Sequence, residues 1–367
     1  MHTLARDPFR RGAPPAPAPP ATPRGRVRAI LLGPRGAFAA LVAVLATAAA
    51  TNTTPASAKR GVAGTVAAGA GWSLAAPMPT PRKEIANAAA VLDGRIWVAG
   101  GVTPEGRISD ALESYDPATD GWQSHAPLPE PLWRAVLAAA DGRLYLFGGY
   151  RSTGRFPFDP TDAVYAYDPR TDTWSARSPM PAGPRGAFTA VTAGGRIHVI
   201  GGAQNNGLDR HEVYDPATDR WSTAPALPTP RSGLSAALLG REIVTTGGYV
   251  LGAGGVRSFA TVEAYDLDTG AWRALPDLPA ARFGVGAAAL GGRLYVFGGL
   301  ASDEVPSRAL VYDPSKGVWN ALPEMPSPVS FMGVAALEGS IHVVGGGPVP
   351  LDRHDAVPLH RVFVPDG

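Results

Sequence analysis

The sequence contains no cysteine. Disulfides, thiolate metal sites, thiol nucleophiles and any copper-radical centre built on a cysteine-crosslinked tyrosine are therefore excluded. It also lacks an HExxH, a GxSxG and a phosphate-binding loop, and Gly252 to Gly255 (GAGG) reads as a turn because no helix follows it. No run of Lys and Arg occurs in the body of the chain. What is abundant is glycine (45) and proline (38) among 367 residues, which points to many turns and few long helices. All-α and ordinary α/β folds are argued against at once. The net charge of +2 is unevenly placed: residues 1–58 carry seven Arg and one Asp, a net of +6, and the remainder is −4. A mildly acidic body is not that of a nucleic-acid binder.

Residues 1–58 read as a secretory signal peptide with a long basic region. Arginines precede the apolar stretch Gly36 to Ala50, and Ala56-Ser57-Ala58 supplies a small-x-small cleavage pattern. Thr51, Asn52, Thr53, Thr54 and Pro55 spoil the second half as a membrane helix, which needs about 20 mainly apolar residues. Residues 59–71 read as a flexible linker and 72–367 as the working domain. The expectation is a secreted, extracytoplasmic protein with no membrane span after cleavage, membrane-anchored if the signal stays uncut.

The body repeats itself. A Gly-Gly doublet closes an apolar run at Gly100, Gly148, Gly201, Gly247, Gly298 and Gly345. Tyr-Asp recurs at Tyr115, Tyr167, Tyr214, Tyr265 and Tyr312, with Trp122, Trp174, Trp221, Trp272 and Trp319 each seven residues later. Each unit resolves into four short strands: a small-residue strand, a tight turn such as Asp93-Gly94, a β-branched and aromatic strand, a strand ending at Tyr-Asp and one starting at Trp. Four-stranded antiparallel units of 46–53 residues, repeated six times, specify an all-β, six-bladed β-propeller. The small first strand, for example Ile85 to Leu92 or Gly284 to Leu290, belongs at the crowded axis. Trp72 has no Tyr-Asp before it, and Phe363 stands in the tyrosine slot with no Trp after it. These orphans predict a last blade closed by strands from both ends of the sequence.

The Gly-Gly after an apolar strand, Tyr-Asp-Pro, the Trp seven residues on and a Pro-Arg before the next first strand resemble the kelch repeat over residues 72–364. The resemblance implies an interaction module, since kelch propellers mainly bind and a minority are enzymes. It breaks at Leu267, at Phe363-Val364 and at Val329-Ser330. Among the enzymes it brings in are six-bladed, signal-bearing sialic-acid mutarotases or epimerases, which need an acid/base pair and an arginine. The galactose oxidase relatives fit poorly without cysteine.

Trp to the next Gly-Gly is always 26–28 residues and Tyr to Trp always seven, so the large length variation falls between the second and third strands, where Gly-Gly to Tyr or Phe runs 15, 19, 13, 18, 14 and 18 residues. Those loops emerge on one face, the expected place for ligand binding. Their candidates are Arg107, Arg151, Arg155, Asn205, Asn206, Arg210, His211, Arg257, Arg308 and Arg353, with Phe156 and Phe158 as aromatic neighbours. Guanidinium groups, amides and rings at one mouth suit a glycan, a cell-envelope component or a protein segment. A structural scaffold is a further alternative. No catalytic residue, metal or cofactor is expected. His211 and His354 lie near Asp209, Asp352 and Asp355, but at spacings that make a poor metal site. His198 and His342, three before a Gly-Gly, read as packing residues. Arg82, Arg134, Arg185, Arg231 and Arg282 open five first strands and read as structural, paired with backbone or acids.

Overall fold

In the computed structural model the described residues are 71–153, 158–204, 206–252, 255–301, 305–306, 308–348 and 356–365. The leader, the linker before Gly71, Arg155, Phe156, Asn205, Arg353 and His354 lie outside them. Among the described residues no helix is long and apolar enough to cross a membrane.

Strand β1 (Gly71–Ala75) comes first in the chain and belongs to the last blade. Blade 1 is β2 (Ala89–Leu92), β3 (Arg95–Ala99), β4 (Leu112–Asp116) and β5 (Gly121–Ser124). Blade 2 is β6 (Val136–Ala140), β7 (Arg143–Phe147), β8 (Val164–Asp168) and β9 (Thr173–Arg177). Blade 3 is β10 (Thr189–Ala193), β11 (Arg196–Ile200), β12 (His211–Asp215) and β13 (Arg220–Thr223). Blade 4 is β14 (Ser235–Leu239), β15 (Glu242–Thr246), β18 (Val262–Asp266) and β19 (Trp272–Leu275), interrupted by a hairpin of β16 (Tyr249–Gly252) and β17 (Gly255–Ser258). Blade 5 is β20 (Gly286–Leu290), β21 (Arg293–Phe297), β22 (Arg308–Asp313) and β23 (Val318–Glu324). Blade 6 is β24 (Gly333–Leu337), β25 (Ser340–Val344) and β26 (His360–Val364), completed by β1. Every blade is an antiparallel four-stranded sheet, and the first strands pack on one another around the axis.

The two-ended closure is as the repeat predicts: β1 pairs with β26 in the register Trp72↔Phe363. The first strands are shorter than expected. The strand expected from Ile85 begins at Ala89, because Glu84 and Ala86 take left-handed φ values of 56° and 51°. The hairpin β16–β17 is an element the alternation did not reveal; Gly252 pairs with Gly255 at its end.

One contact repeats at all six seams. Each fourth-strand Trp donates its indole N–H to a carbonyl of the preceding blade: Trp122 to Ala76, Trp174 to Ala126, Trp221 to Ser178, Trp272 to Pro225, Trp319 to Pro276 and Trp72 to Pro323, at 2.8–3.0 Å. Indole is a donor only, so a partly buried ring needs such an acceptor. In blades 1 to 3 the tyrosine of Tyr-Asp adds a second tie, through an Asp five residues on. Tyr115 donates to Asp120, whose same oxygen accepts the Ala76 N–H of blade 6's outer strand, and burial together with this carboxylate pushes the phenol pKa up.

At the axis the backbone closes a ring of its own. Arg134 N–H bonds Glu84 O, Ala187 bonds Arg134, Gly233 bonds Ala187, Gly284 bonds Gly233, Phe331 bonds Gly284, and Ala86 bonds Phe331, all at 2.7–3.0 Å. Each of these residues has a positive φ between 49° and 63°. Blade 1 supplies both ends of the circuit by carrying extra residues: Trp72 to Gly100 spans 28 positions, against 26 in most blades. From the same segment Asn87 reaches across the hub. Its amide donates to Phe188 O (2.7 Å) and Leu234 O (3.0 Å), and its oxygen accepts from Ser235 Oγ (2.8 Å). We expect Asn87→Ala to cost about 1–3 kcal/mol, since it orphans these groups. A lower denaturant midpoint at unchanged m-value is the check.

Candidate ligand-binding face

Among the described residues, the second-to-third-strand connections leave the same end of each blade, with the hairpin of blade 4 among them. The floor beneath them is aromatic and closed. Trp133, Tyr150 and Phe158 form one cluster with ring centroids 5.0–5.4 Å apart, and Tyr249, Phe283 and Phe331 form another. Phe158, expected at the ligand mouth, is buried in the first cluster and acts as core. In the centre Arg134 bonds Glu84 (Nε to Oε2, 2.6 Å) and lies 3.9 Å from the Phe331 ring centroid and 5.0 Å from that of Trp133.

The arginines that open the first strands are structural, with one correction of register. Arg82, Arg185 and Arg231 are fully buried and pair with Glu113, Glu212 and Glu263, each two residues before a Tyr-Asp tyrosine. Arg282 is also buried and donates to Gly298 O. Arg134 is not one of the set. The carbonyl that accepts the second Gly of each doublet comes from Arg82, Arg185, Arg231, Arg282 and Val329, and in blade 2 from Leu132. Arg134 stands two residues further on, in the backbone ring. Blade 6 reverses the arrangement: Val329 takes the arginine slot, and Arg361 from the glutamate slot is buried against Ser327 and Gly345 O.

The structure brings two of the candidate residues together. Arg107 and Arg151 line one open cleft of about 530 Å³ with Ile108, Glu130, Pro131, Ser152 and Thr153. Arg151 is held by Glu130 (2.5 and 3.2 Å) and by Thr161 Oγ1 (2.9 Å), and Tyr165 donates to the same carboxylate at 3.0 Å. The hydrogen bond to Glu130 pushes the Arg151 pKa upward, so this guanidinium stays charged. Among the described residues the Arg107 guanidinium pairs with Glu105 alone, at 3.5 Å, with 76% of its side chain exposed. The cleft thus offers one tightly held and one exposed guanidinium beside apolar Ile108 and Pro131. Glu130 and Pro131 come from the link between blades, which loop lengths alone did not point to.

The other candidates stand apart. Asn206 is a tie: its oxygen accepts N–H groups of Gly207 and of Leu251 in the blade 4 hairpin. Arg257 sits on that hairpin with its guanidinium 5.3 Å from the Phe259 ring centroid. Arg210 is exposed just before β12, and Arg308 opens β22 in a solvent-exposed pair with Glu324. His211 is not in a loop at all. It opens β12, buried, with Nε2 2.9 Å from Nδ1 of His198 and its ring edge-on to Tyr265. A ligand on the loop face does not reach it. Among the described residues no three His, Asp or Glu side chains are grouped to hold a metal.

Known proteins add the family context. The pattern described as the KLHDC2/KLHL20/DRC7 Kelch-repeats domain matches residues 70–248, and the Kelch motif matches 230–279 and 281–326. The chain is 28% identical over 241 residues to Kelch-like protein terF of Aspergillus terreus, covering 62% of this chain and 52% of that protein. It is 32% identical over 230 residues to Kelch-like protein 25 of Homo sapiens, covering 61% of this chain and 38% of that one. Beta-scruin of Limulus polyphemus is 31% identical over 134 residues, 36% of this chain and 14% of that protein. The chain spans about half or less of the length of these relatives.

Proposed function

Because the chain belongs to the kelch-repeat family, which a repeat defines and no single reaction does, we propose that it is an exported binding module whose ligand is a protein segment held on the loop face. The observation that carries this reading is the cleft between the first two blades, where Arg107 and Arg151 converge beside Ile108 and Pro131. Two guanidinium groups with an apolar wall fit an extended segment bearing a carboxylate and an aliphatic side chain. Export rests on the basic leader and its small-x-small end. The aromatic floor supports the reading too: buried rings under the loops hold the face rigid and leave their exposed residues to bind.

The test begins with capture of partners on immobilised residues 59–367, followed by affinity measurement with the charge reversals Arg107→Glu and Arg151→Glu. We expect each to weaken a protein partner at least about tenfold, equal to 1.4 kcal/mol, with Arg308→Glu as an unaffected control. An unchanged affinity removes the cleft from the binding site. A thermal shift with sugars or wall fragments and none with protein would replace the protein ligand by a glycan.

A further inference from the structure

Four of the histidines form two buried pairs at equivalent places in the ring. His198 Nδ1 lies 2.9 Å from His211 Nε2 in blade 3, and His342 Nδ1 lies 2.8 Å from His360 Nε2 in blade 6. In each pair the second imidazole stands edge-on to the tyrosine of the next blade: His211 to Tyr265 at 4.6 Å, and His360 to Tyr115 at 4.3 Å. Trp272 and Trp122, which carry the indole latches of those seams, flank the same rings. The corresponding positions elsewhere hold Trp97 with Leu112, Tyr145 with Val164, Val244 with Val262 and Tyr295 with Ala309, none of which titrates near neutral pH.

The two histidine seams are diametrically opposed. One joins blade 3 to blade 4 and the other joins blade 6 to blade 1, so together they divide the ring into two halves of three blades. We propose that these seams are an acid-sensitive device, and that protonating the paired imidazoles loosens the ring along this diameter while the other four seams hold.

The geometry leaves no room for a second proton between the rings. Pro225 O accepts from His211 Nδ1 at 3.2 Å, so His211 Nε2 is bare and accepts from His198 Nδ1–H. The outer His198 Nε2 can take one proton with that bond intact, which puts an imidazolium in a buried seam, and a second proton, at His211 Nε2, sets two N–H groups head to head. The second pair continues to Ser340 Oγ, 3.0 Å from His342 Nε2, and meets the same bar between its rings. The surrounding charges give little help. Arg196 on β11 and Arg361 beside His360 both oppose a cation. The Ala76 backbone and, after it, Asp120 of blade 1 favour one at His360, but burial outweighs both and the Asp120 carboxylate already accepts from Tyr115 and the Ala76 N–H. Tyr265 and Tyr115 face the pairs as neutral phenols, with pKa values raised by burial. Burial pushes His198, His211 and His342 down to about 4 and His360 to about 3, with Arg196 adding to the fall at His198 and the partner imidazole at His211 and His360. Above the ordinary value of 6.5 folded and unfolded chains are alike neutral here. Below it the unfolded chain takes up protons that the closed ring refuses, so stability falls as pH drops from 6.5 toward 4. His125, in the seam between blades 1 and 2, has no second imidazole and bonds Ser114 instead.

The experiment has two arms. Melting temperature of the full chain is followed from pH 7 to 4.5, beside a variant carrying His198→Tyr, His211→Val, His342→Tyr and His360→Val, the residue types blade 2 already uses. We expect the acid-induced fall in Tm to shrink to about half or less in the variant. Equal falls in both proteins overturn the proposal. The second arm uses the unaltered protein and does not depend on the variant folding: hydrogen-exchange protection factors at pH 7 and 5, read strand by strand. Selective loss of protection in β11, β12, β25 and β26 supports opening along the diameter, and uniform loss across all blades overturns it.

Discussion

Removing Leu359 to Gly367 is expected to abolish cooperative unfolding of the propeller at ambient temperature. The deletion takes out β26, the strand that pairs with β25 on one side and β1 on the other. His360, Arg361 and Phe363 leave with it, all buried. Trp72 then loses its ring contact with Phe363 at 5.0 Å, and β1 has no partner in the chain. Losing one buried aromatic costs about 3–5 kcal/mol, and total stability of a domain is about 5–15 kcal/mol. A deletion that removes three buried side chains and two strand pairings therefore exceeds what the fold has in reserve. Calorimetry of the truncated and full chains is the check. A truncated chain with a sharp transition at the parental temperature would mean that five blades and a partial sixth suffice.

The second large effect is expected at Arg231. Its guanidinium donates to Gly247 O (2.7 Å), Thr229 O (2.8 Å), Thr245 Oγ1 (2.9 Å) and Glu263 (2.5 Å), and Thr229 Oγ1 completes the carboxylate at 2.7 Å. Arg231→Leu strands Glu263 as a buried charge, and breaking such a pair costs about 3–5 kcal/mol. The double variant Arg231→Leu with Glu263→Leu is expected to recover most of that loss, because the desolvation of both charges goes too. Other blades already carry each half of this change: Leu132 occupies the arginine slot in blade 2, and Leu310 the glutamate slot in blade 5. Denaturant midpoints of the two single variants and the double variant separate the cases. A double variant as weak as Arg231→Leu alone would show that the contacts to Gly247 and Thr245, more than the ion pair, hold the strand.

The sequence pattern carried the blades further than it carried the face. Gly-Gly, Tyr-Asp and Trp are legible because each answers a local demand repeated at fixed spacing: left-handed backbone, a buried tyrosine ring (acid-bonded in blades 1 to 3) and an indole latch. Trp72 and Phe363 disclosed the closure for the same reason. The arginine register in blade 2 was misread because Arg134 and Leu132 differ by two positions, and only the backbone bond to Gly101 tells them apart. The extra residues that let Glu84 and Ala86 close the axial ring did leave a trace, the longer span from Trp72 to Gly100. His211 was placed in a loop because its neighbour Asp209 drew attention to charge, while its position three before Tyr214 marks a strand. The cleft at Arg107 and Arg151 depends on how two blades abut, and no spacing within one repeat encodes that.

The indole latches have a polarity. Every fourth-strand Trp gives its proton backward to the preceding blade, so each seam joins two different surfaces, a front and a back, and never a surface to its own copy. A contact of that kind is heterologous, and it stops propagating only when the ring closes on itself. Here closure falls to Trp72 and Pro323, at the seam completed by β1. Opened at any seam, the ring would present an unpaired front at one end and an unpaired back at the other, each complementary to a second molecule. Weakened closure in this architecture is therefore expected to favour end-to-end association of opened rings, and the two-ended blade, by satisfying both surfaces within one chain, works against it.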